Sequence, residues 1–344
     1  MRHNKAPLVV VNGRFLARHI TGVERYGREI LRCMDSNPAL SLSEGYRVES
    51  THRQGWMGHA WEQFILPRRL HQGSILWSPA NTGPLMVRNQ ALTIHDLSPL
   101  EHPEWFRKSF STWYRMFLPI LAKRVLKIFT PSEYVKKKVE KRFGVKDVIV
   151  TSNGVDHAIF CPDANQNKFD LPDYYILFVG SLEPRKNLYL LLRTWDEIKT
   201  EFKNMWLLIV GVSGTVFKTI NFSHKTERVR FLGYVEDEVL AGLYANATAF
   251  VLPSHDEGFG LPALEAMASG SPVIVSDGGA LPEVVSEAGM IFCLSNPEGL
   301  KQTLAECLSN VHLRRELRER GLKRAQQFSW QFTAELVWKN LIER

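Results

Sequence analysis

Short apolar runs alternate with amphipathic helical stretches along almost the whole of this 344-residue chain. Such alternation is typical of parallel sheets covered by helices, so it predicts an α/β fold. The predicted strands cover 8–12, 74–78, 91–94, 127–130, 148–151, 174–179, 206–210, 229–232, 249–252, 272–275 and 290–294. The predicted helices cover 22–34, 59–70, 105–123, 132–143, 188–200, 236–246 and 262–269, and further helices close the chain.

A polar, proline-bearing segment without periodicity, residues 156–173, separates two halves of similar rhythm. We interpret it as a linker. The prediction is two Rossmann-like, doubly wound parallel-sheet domains, 1–160 and 170–327, facing each other across a cleft.

Composition excludes several classes of protein. No run of about 18 apolar residues is present, so no spanning helix is expected. Cys33, Cys161, Cys293 and Cys307 are scattered without a CxxC pair, which indicates reduced thiols and a cytoplasmic location.

The formal charge of +7 is unevenly distributed. Residues 1–165 hold 24 Lys and Arg against 14 Asp and Glu, and the remainder holds 19 against 22. A basic half can attract nucleic acid, an anionic membrane or a phosphorylated substrate, and it can equally be a solvated surface. We expect no nucleic-acid partner.

Two carboxylates, Glu257 and Glu265, flank a glycine turn that follows an apolar run. Pro262 suits the first helical position, which would place Glu265 in the first helical turn. Unpaired N–H groups at a helix start favour phosphates and hydroxyls. The order strand, glycine turn and helix therefore predicts a phosphate and polyol site, in which Glu265 can accept two ribose hydroxyls.

A second motif, GSLEPRKN at 180–187, ends one predicted strand and opens a helix for which Asn187 is the expected cap. Arg185 and Lys186 lie side by side in that turn, and two such cations suit a diphosphate. The alternative is an exposed surface pair, but the position after a glycine turn favours the diphosphate.

Candidate contacts also lie at one helix start and after two further strands. Gly22 opens a helix, and His95 stands beside Asp96 after a strand, where one is expected to face a ligand and the other to brace the loop. The backbone of Tyr234 and Val235 is a candidate for nucleobase recognition. GxGxxG, a GxSxG elbow, zinc spacing and a DxD element are absent, so no metal or cofactor is expected.

An aromatic, basic stretch covers residues 105–118. One interpretation is peripheral contact with an anionic membrane. The other is a helix that packs its apolar face into its own domain.

Taken together, these motifs resemble the retaining glycosyltransferases of family 4, which have the GT-B fold, and among them bacterial surface-polysaccharide mannosyltransferases. The resemblance covers nearly the whole chain. Its segments are EGFGLPALEAMASG at 257–270, GSLEPRKNL at 180–188, TGVERY at 21–26, TIHDLSPLEHPEWF at 93–106, SNGVD at 152–156 and FSWQFTAE at 328–335.

The resemblance implies a role for each matched position. Arg185 and Lys186 would hold the donor diphosphate, Glu265 the ribose, and Glu257 would support the charge that develops on the sugar. His95 would contact that sugar, Gly22 the phosphates, and residues 328–344 would pack back on the first domain. Further donor contacts would come from the backbone of Tyr234, Val235, Gly258, Phe259, Gly260 and Leu261. Arg14, Trp56 and His59 are candidate acceptor contacts.

The implied function is metal-independent, retaining transfer of a hexose, mannose from GDP-mannose, to a saccharide acceptor carried on lipid, in O-antigen or exopolysaccharide synthesis. A UDP- or dTDP-sugar donor is the alternative within the same reaction. A nucleotide-sugar epimerase and a non-catalytic scaffold are the alternatives from other classes.

Overall fold

The computed structural model describes residues 7–18, 20–36, 45–164, 170–212 and 227–343. The chain forms two compact units. The first combines residues 1–101, 111–154 and 329–344, and the second combines residues 102–110 and 155–328. Neither unit is therefore a continuous stretch of sequence.

The first unit contains a six-stranded parallel sheet in the order β2-β1-β3-β4-β5-β6. Its strands are β1 (Val9–Asn12), β2 (Tyr46–Glu49), β3 (Ile75–Ser78), β4 (Gln90–Thr93), β5 (Lys127–Thr130) and β6 (Val148–Val150). The sequence predicts five of these and misses β2. That strand lies at the sheet edge, and its half-exposed YRVE sequence lacks the apolar run of a strand buried on both faces.

The helices of the first unit agree with the prediction to within a few residues, with two differences. They are α1 (Gly22–Ser36), α2 (Gly55–Ala60), α3 (Ser98–Glu101), α4 (Lys108–Ala122, which starts in the second unit), α5 (Glu133–Phe143) and α12 (Trp330–Ile342). Helix α2 starts before the predicted residue 59 and continues through a π turn, Trp61–Ile65, and a 3-10 turn, Leu66–Arg69. The four-residue α3 was not predicted.

The second unit contains another six-stranded parallel sheet, ordered β12-β11-β10-β7-β8-β9. Its strands are β7 (Tyr174–Val179), β8 (Met205–Val210), β9 (Val229–Gly233), β10 (Ala249–Leu252), β11 (Val273–Ser276) and β12 (Met290–Phe292). Its remaining helices are α6 (Leu188–Ile198), α7 (Asp237–Asn246), α8 (Leu261–Ala268), α9 (Leu281–Val285), α10 (Gly299–Ser309) and α11 (Val311–Ala325).

Residues 102–110 and 155–160 belong to the second unit, although the predicted boundary places them in the first domain. Phe160 is buried and meets the Tyr244 ring edge-on at 6.1 Å. Trp105 stacks on His255 at 6.2 Å. These tertiary contacts leave no trace in local sequence pattern. Of the predicted linker, residues 165–169 lie outside the described part of the chain.

Helix α12 packs on α1 within the first unit. Trp330 meets Tyr26 edge-on at 6.2 Å, and the Thr333 hydroxyl donates to the Ser152 carbonyl at 2.6 Å. The Lys127 ammonium donates to carbonyls at the carboxyl end of α12, where a cation is favoured.

Two findings concern the whole described chain. Cys33, Cys161, Cys293 and Cys307 are free thiols. Within the described ranges, no helix combines the length and apolar character needed to cross a bilayer.

Candidate functional site

The candidate site lies at the topological switch point of the second sheet, where the strand order reverses between β7 and β10. From β7 the chain winds outward to β8 and β9, then returns to β10 on the opposite side. Loops at the carboxyl ends of such strands diverge and leave a crevice that binds ligands in doubly wound folds. Residues 180–187 follow β7 and residues 253–260 follow β10, so this edge gathers both main motifs.

The loop after β7 is shaped by a 3-10 turn, Pro184–Lys186. Pro184 suits the start of this turn because its missing N–H needs no acceptor there. Asn187 follows with a left-handed φ of 52° and holds the N-cap position of α6, but its side chain makes no capping hydrogen bond. The predicted cap residue is therefore in place, although its side chain does not do the capping. The turn fixes the backbone positions of Arg185 and Lys186.

Arg185 and Lys186 converge on Glu257 from the neighbouring loop. The Arg185 Nη1 donates to Glu257 Oε2 at 2.8 Å, and the Lys186 Nζ donates to Glu257 Oε1 at 2.5 Å. Arg185 also donates to the Asp256 carbonyl at 2.8 Å. The two cations are therefore not an exposed surface pair. They are largely buried and bound to a carboxylate 71 and 72 residues further along the chain.

Glu257 is an ionised carboxylate held by its neighbours. Burial opposes its ionisation, but the charges of Arg185 and Lys186 outweigh burial and lower its pKa to about 2. Ser254 adds a hydrogen bond to Oε1 at 2.7 Å. A carboxyl group with this pKa is not a proton donor near neutral pH, so Glu257 carries a negative charge there.

A second carboxylate, Glu183, binds the other side of Arg185. Its Oε1 accepts from Arg185 Nε at 3.1 Å and from Nη2 at 2.7 Å. The side chain is 1% exposed, and its Oε2 is buried without a hydrogen-bond partner. Burial raises the pKa of this carboxyl group although Arg185 and Lys186 act in the opposite direction. Sequence reasoning missed Glu183, although its position two residues before Arg185 was a usable signal.

The turn before α8 depends on a glycine at position 260. Gly260 has a φ of +97°, and a Cβ there would lie 2.5 Å from the Leu281 side chain. Helix α8 starts at Leu261, so Pro262 is its second residue rather than its first. The sequence predicted Glu265 in the first turn of this helix, but the residue lies just beyond that turn. No acidic residue occupies the first turn. Glu265 is buried and accepts a hydrogen bond from the Tyr244 hydroxyl at 3.2 Å.

The Glu257 backbone is fixed by the loop after β11. A Cβ on Gly279 would lie 2.3 Å from the Glu257 nitrogen, and the Ala280 N–H donates to the Glu257 carbonyl at 2.8 Å. Gly279 also has a left-handed φ of +69°, so only glycine suits this position. The Gly278-Gly279 pair was a signal for this close approach, but spacing alone could not identify its partner.

The other predicted donor contacts of this unit lie on the same sheet edge. Tyr234 follows β9 with a side chain 70% exposed, whereas Val235 is buried. Phe259 is also buried and packs edge-on against Phe328 at 5.7 Å, so its side chain belongs to the core. Gly258 is half-buried, and Leu261 supplies one of the N–H groups that a helix start leaves without an intrahelical acceptor.

His95 and Gly22 lie in the first unit. The His95 ring is buried against Tyr26 at 4.9 Å and its Nε2 is 2.7 Å from the Pro79 carbonyl, which can only accept. Burial lowers the His95 pKa, so the ring is neutral with its proton on Nε2. Asp96 braces the next turn by accepting from the Ser98 N–H. Gly22 is exposed, and a Cβ there would meet no atom within 4 Å.

Two of the three candidate acceptor residues, Arg14 and His59, lie beside a buried glutamate, Glu62. Arg14 is buried and donates to Glu62 Oε1 at 3.2 Å, and the His59 Nδ1 lies 3.7 Å from Glu62 Oε2. Trp56 is 65% exposed and meets Trp113 edge-on at 5.3 Å. Burial alone would raise the pKa of Glu62. Arg14 and His59 together outweigh burial and lower this pKa to about 2. Glu62 and Trp113 were not among the predicted acceptor contacts.

Among the described residues, no group of three or more His, Cys, Asp or Glu side chains is placed to hold a metal ion. Independence from metal remains a prediction.

Two six-stranded parallel sheets with flanking helices agree with the predicted GT-B architecture. A family model described as "Glycosyltransferase Family 4" matches residues 71–159, and one described as "Glycosyl transferases group 1" matches residues 162–324. The chain belongs to the family 4 glycosyltransferases.

Named relatives support this assignment. O-antigen chain mannosyltransferase B of Escherichia coli is 30% identical over 303 residues, which cover 84% of this chain and 77% of that protein. O-antigen chain mannosyltransferase RfbU of Salmonella typhimurium is 32% identical over 224 residues, 63% of this chain and 59% of that one. The solved sucrose-phosphate synthase of Thermosynechococcus elongatus has a TM-score of 0.75 and 17% identity over 98% of both chains, a likeness of fold alone.

The depressed pKa of Glu257 predicts a specific dependence of stability on pH. Its folded value of about 2 lies below the ordinary 4.5, so its stabilising contribution is complete above 4.5 and is lost as the pH falls through 2. Glu257→Gln is expected to cost about 3 kcal/mol at neutral pH, which lowers the Tm by roughly 6–12 °C.

Melting curves of the wild type and of Glu257→Gln, recorded from neutral pH downward, measure the difference between their Tm values. This difference should narrow between about pH 4.5 and 2. The exposed Glu287, changed to Gln, is the matched control and should leave the Tm almost unchanged. A difference that stays constant down to the lowest pH would contradict the ionised state assigned to Glu257.

Proposed function

We propose that this glycosyltransferase transfers mannose from GDP-mannose to a saccharide acceptor carried on lipid, with retention of anomeric configuration, in the synthesis of a bacterial surface polysaccharide. The observation that carries the proposal is the 30% identity to O-antigen chain mannosyltransferase B over 84% of the chain. The cluster of Arg185, Lys186 and Glu257 supplies the chemistry that such a transfer needs.

The donor diphosphate is the leaving group, and its negative charge grows as the glycosidic bond breaks. Arg185 and Lys186 are held in a largely buried site, where preorganised cations stabilise developing charge more than they would in water. The N–H groups at the start of α8 add partial positive charge at the same edge of the sheet. Together these groups favour departure of the nucleoside diphosphate without a metal ion.

The sugar then passes through an oxocarbenium-like state, to which the charge of Glu257 is favourable. In the proposed reaction the acceptor hydroxyl attacks the face from which the diphosphate departs. Its proton goes to a phosphate oxygen, so no protein nucleophile is needed. Glu257 is already bound by Arg185, Lys186 and Ser254, which supports a role as a fixed charge.

Glu265 is the proposed anchor for the ribose. Its hydrogen bond with Tyr244 fixes the carboxylate in a buried position near the start of α8. The backbone of Tyr234 and Val235 is the proposed contact for the base. Gly22, whose Cβ position is open space, and the neutral His95 are the proposed contacts for phosphate and sugar from the first unit.

Helix α4 is the proposed contact with an anionic membrane, which would bring the enzyme to a lipid-carried acceptor. Trp113, Met116, Phe117 and Ile120 share one face by helical spacing, and Met116 and Ile120 are 61% and 50% exposed. The exposed basic residues Arg115, Lys123 and Arg124 lie on or directly after this helix. Phe106, earlier in the aromatic stretch, is buried and packs inward instead.

A panel of nucleotides tests the donor. GDP-mannose and GDP are expected to raise the Tm, since a ligand at a hundred times its Kd stabilises the folded state by about 2.7 kcal/mol. UDP-glucose and dTDP-glucose, at equal concentration, are expected to raise it less. A larger effect of UDP or dTDP would overturn the choice of donor, and no effect of any nucleoside diphosphate would overturn the transferase proposal.

The two glutamates are expected to fail differently in steady-state kinetics. Glu265→Ala should raise the donor KM by on the order of tenfold to a hundredfold, because charged hydrogen bonds to the ribose are lost. Glu257→Ala should instead lower kcat by on the order of a hundredfold, because the cations lose their orienting charge. Tyr244→Phe is the matched control and should reproduce a small part of the Glu265 effect.

Equal, small effects of the Glu257 and Glu265 variants would contradict the assigned roles. Donor turnover without any acceptor would point to an epimerase, and donor binding without turnover to a non-catalytic scaffold.

Vesicle co-sedimentation tests the membrane contact. Binding to vesicles with anionic lipid is expected to fall as salt rises, because surface charge attraction is screened. The double variant Met116→Ser and Ile120→Ser should bind several-fold less, whereas Phe332→Ser, an exposed aromatic residue on α12, should bind like wild type. Binding that ignores both salt and the α4 variant would rule out this surface.

A further inference from the structure

Glu183 has an unusual position for a glutamate in a diphosphate site. Its Oε1 accepts two hydrogen bonds from Arg185, while Oε2 is buried with no partner. A buried polar atom that makes no hydrogen bond carries a desolvation cost, and the cost is greatest for an ionised group. The neutral acid reduces that cost because it removes the charge from Oε2.

The protonation state of Glu183 decides the net charge that an incoming diphosphate meets. Glu183 and Glu257 carry one negative charge each when ionised, and Arg185 and Lys186 carry one positive charge each. These four side chains then sum to zero, which gives an incoming diphosphate dianion no net attraction. Loss of the Glu183 charge leaves the same four groups with one net positive charge.

Donor binding must shift this balance. In the proposed function the diphosphate lies beside Arg185, so two further negative charges approach the Glu183 carboxylate, and like charges disfavour ionisation. The groups that act on Glu183 in the folded chain are Arg185, Lys186 and Glu257. Glu257 cannot take the proton instead, because both its oxygens are bound by cations.

We propose that Glu183 takes up one proton from solvent when the donor diphosphate binds, so that donor affinity and protonation of this buried carboxylate are coupled. The proton lodges on Oε2, the oxygen without a hydrogen-bond partner, while Oε1 continues to orient Arg185. This coupling rests on the proposed function and assigns Glu183 as a positioning residue that also sets the charge of the site. By reciprocity, a donor that promotes protonation must bind more tightly as the pH falls.

Calorimetric titration with GDP-mannose in buffers of different ionisation enthalpy measures the proton directly. The diphosphate diester of a sugar nucleotide does not titrate near neutral pH, so any uptake comes from the protein. Wild type is expected to take up as much as about one proton per donor bound, and its Kd to rise with pH by up to about tenfold per unit.

Glu183→Gln, which keeps the carbonyl acceptor for Arg185 and removes the charge, is expected to lose the uptake and the pH dependence. Glu183→Asp retains a titrating carboxyl group and should keep both, which covers the case in which the Gln variant fails to fold. Glu201→Gln is the matched control for loss of one exposed carboxylate and should behave like wild type.

His255 is the competing site of proton uptake, because it titrates and lies beside the cluster, where its backbone N–H donates to the Arg185 carbonyl at 2.8 Å. His255→Asn is expected to keep the uptake. Donor binding without proton uptake, uptake that persists in Glu183→Gln, or uptake lost in His255→Asn would each overturn the coupling and leave the proposed function standing. Failure of every sugar nucleotide to bind would overturn the proposed function and the coupling with it.

Discussion

The buried pairing of Glu257 with Arg185 and Lys186 is the interaction on which the candidate site depends. It joins the loops after β7 and β10, the two strands between which the sheet reverses direction. Removing charges from water is costly, and it is repaid here because each Glu257 oxygen accepts from a cation and Ser254 satisfies Oε1 further. Breaking such a pair typically costs roughly 3–5 kcal/mol, so the pairing favours one arrangement of the two loops.

The first unit uses the same physics at its own switch point. The sheet reverses there between β1 and β3, and Arg14, just after β1, binds Glu62 and the Thr82 hydroxyl, four residues after β3. Both units therefore place a buried arginine–glutamate pair where parallel strands diverge. In each, the cation holds the pKa of the glutamate at about 2 in spite of burial.

The sequence is sufficient for the strands because most are buried on both faces and appear as short apolar runs. Eleven of the twelve strands within the described residues were predicted, and the half-exposed edge strand β2 was missed for the physical reason that it lacks such a run. Motifs that follow strands located Arg185, Lys186, Glu257 and Glu265, because parallel strands bring their carboxyl ends to one edge. What spacing could not predict was contact between side chains of different loops. The roles of Glu183 and of Gly279 depend on that tertiary geometry, as does the membership of residues 102–110 in the second unit.

The first unit needs helix α12, which is the last helix of the chain to be synthesised. The chain passes from one unit to the other at 101/102, 110/111, 154/155 and 328/329. During translation, the second unit has its full sequence before the first unit receives α12. Until then the surface around Tyr26 that Trp330 covers is open, and Ser152 and Lys127 lack their partners on that helix. The first unit, although the sequence of its sheet is made earlier, can therefore be completed only after the second, and its apolar surface around Tyr26 stays uncovered until α12 has been made.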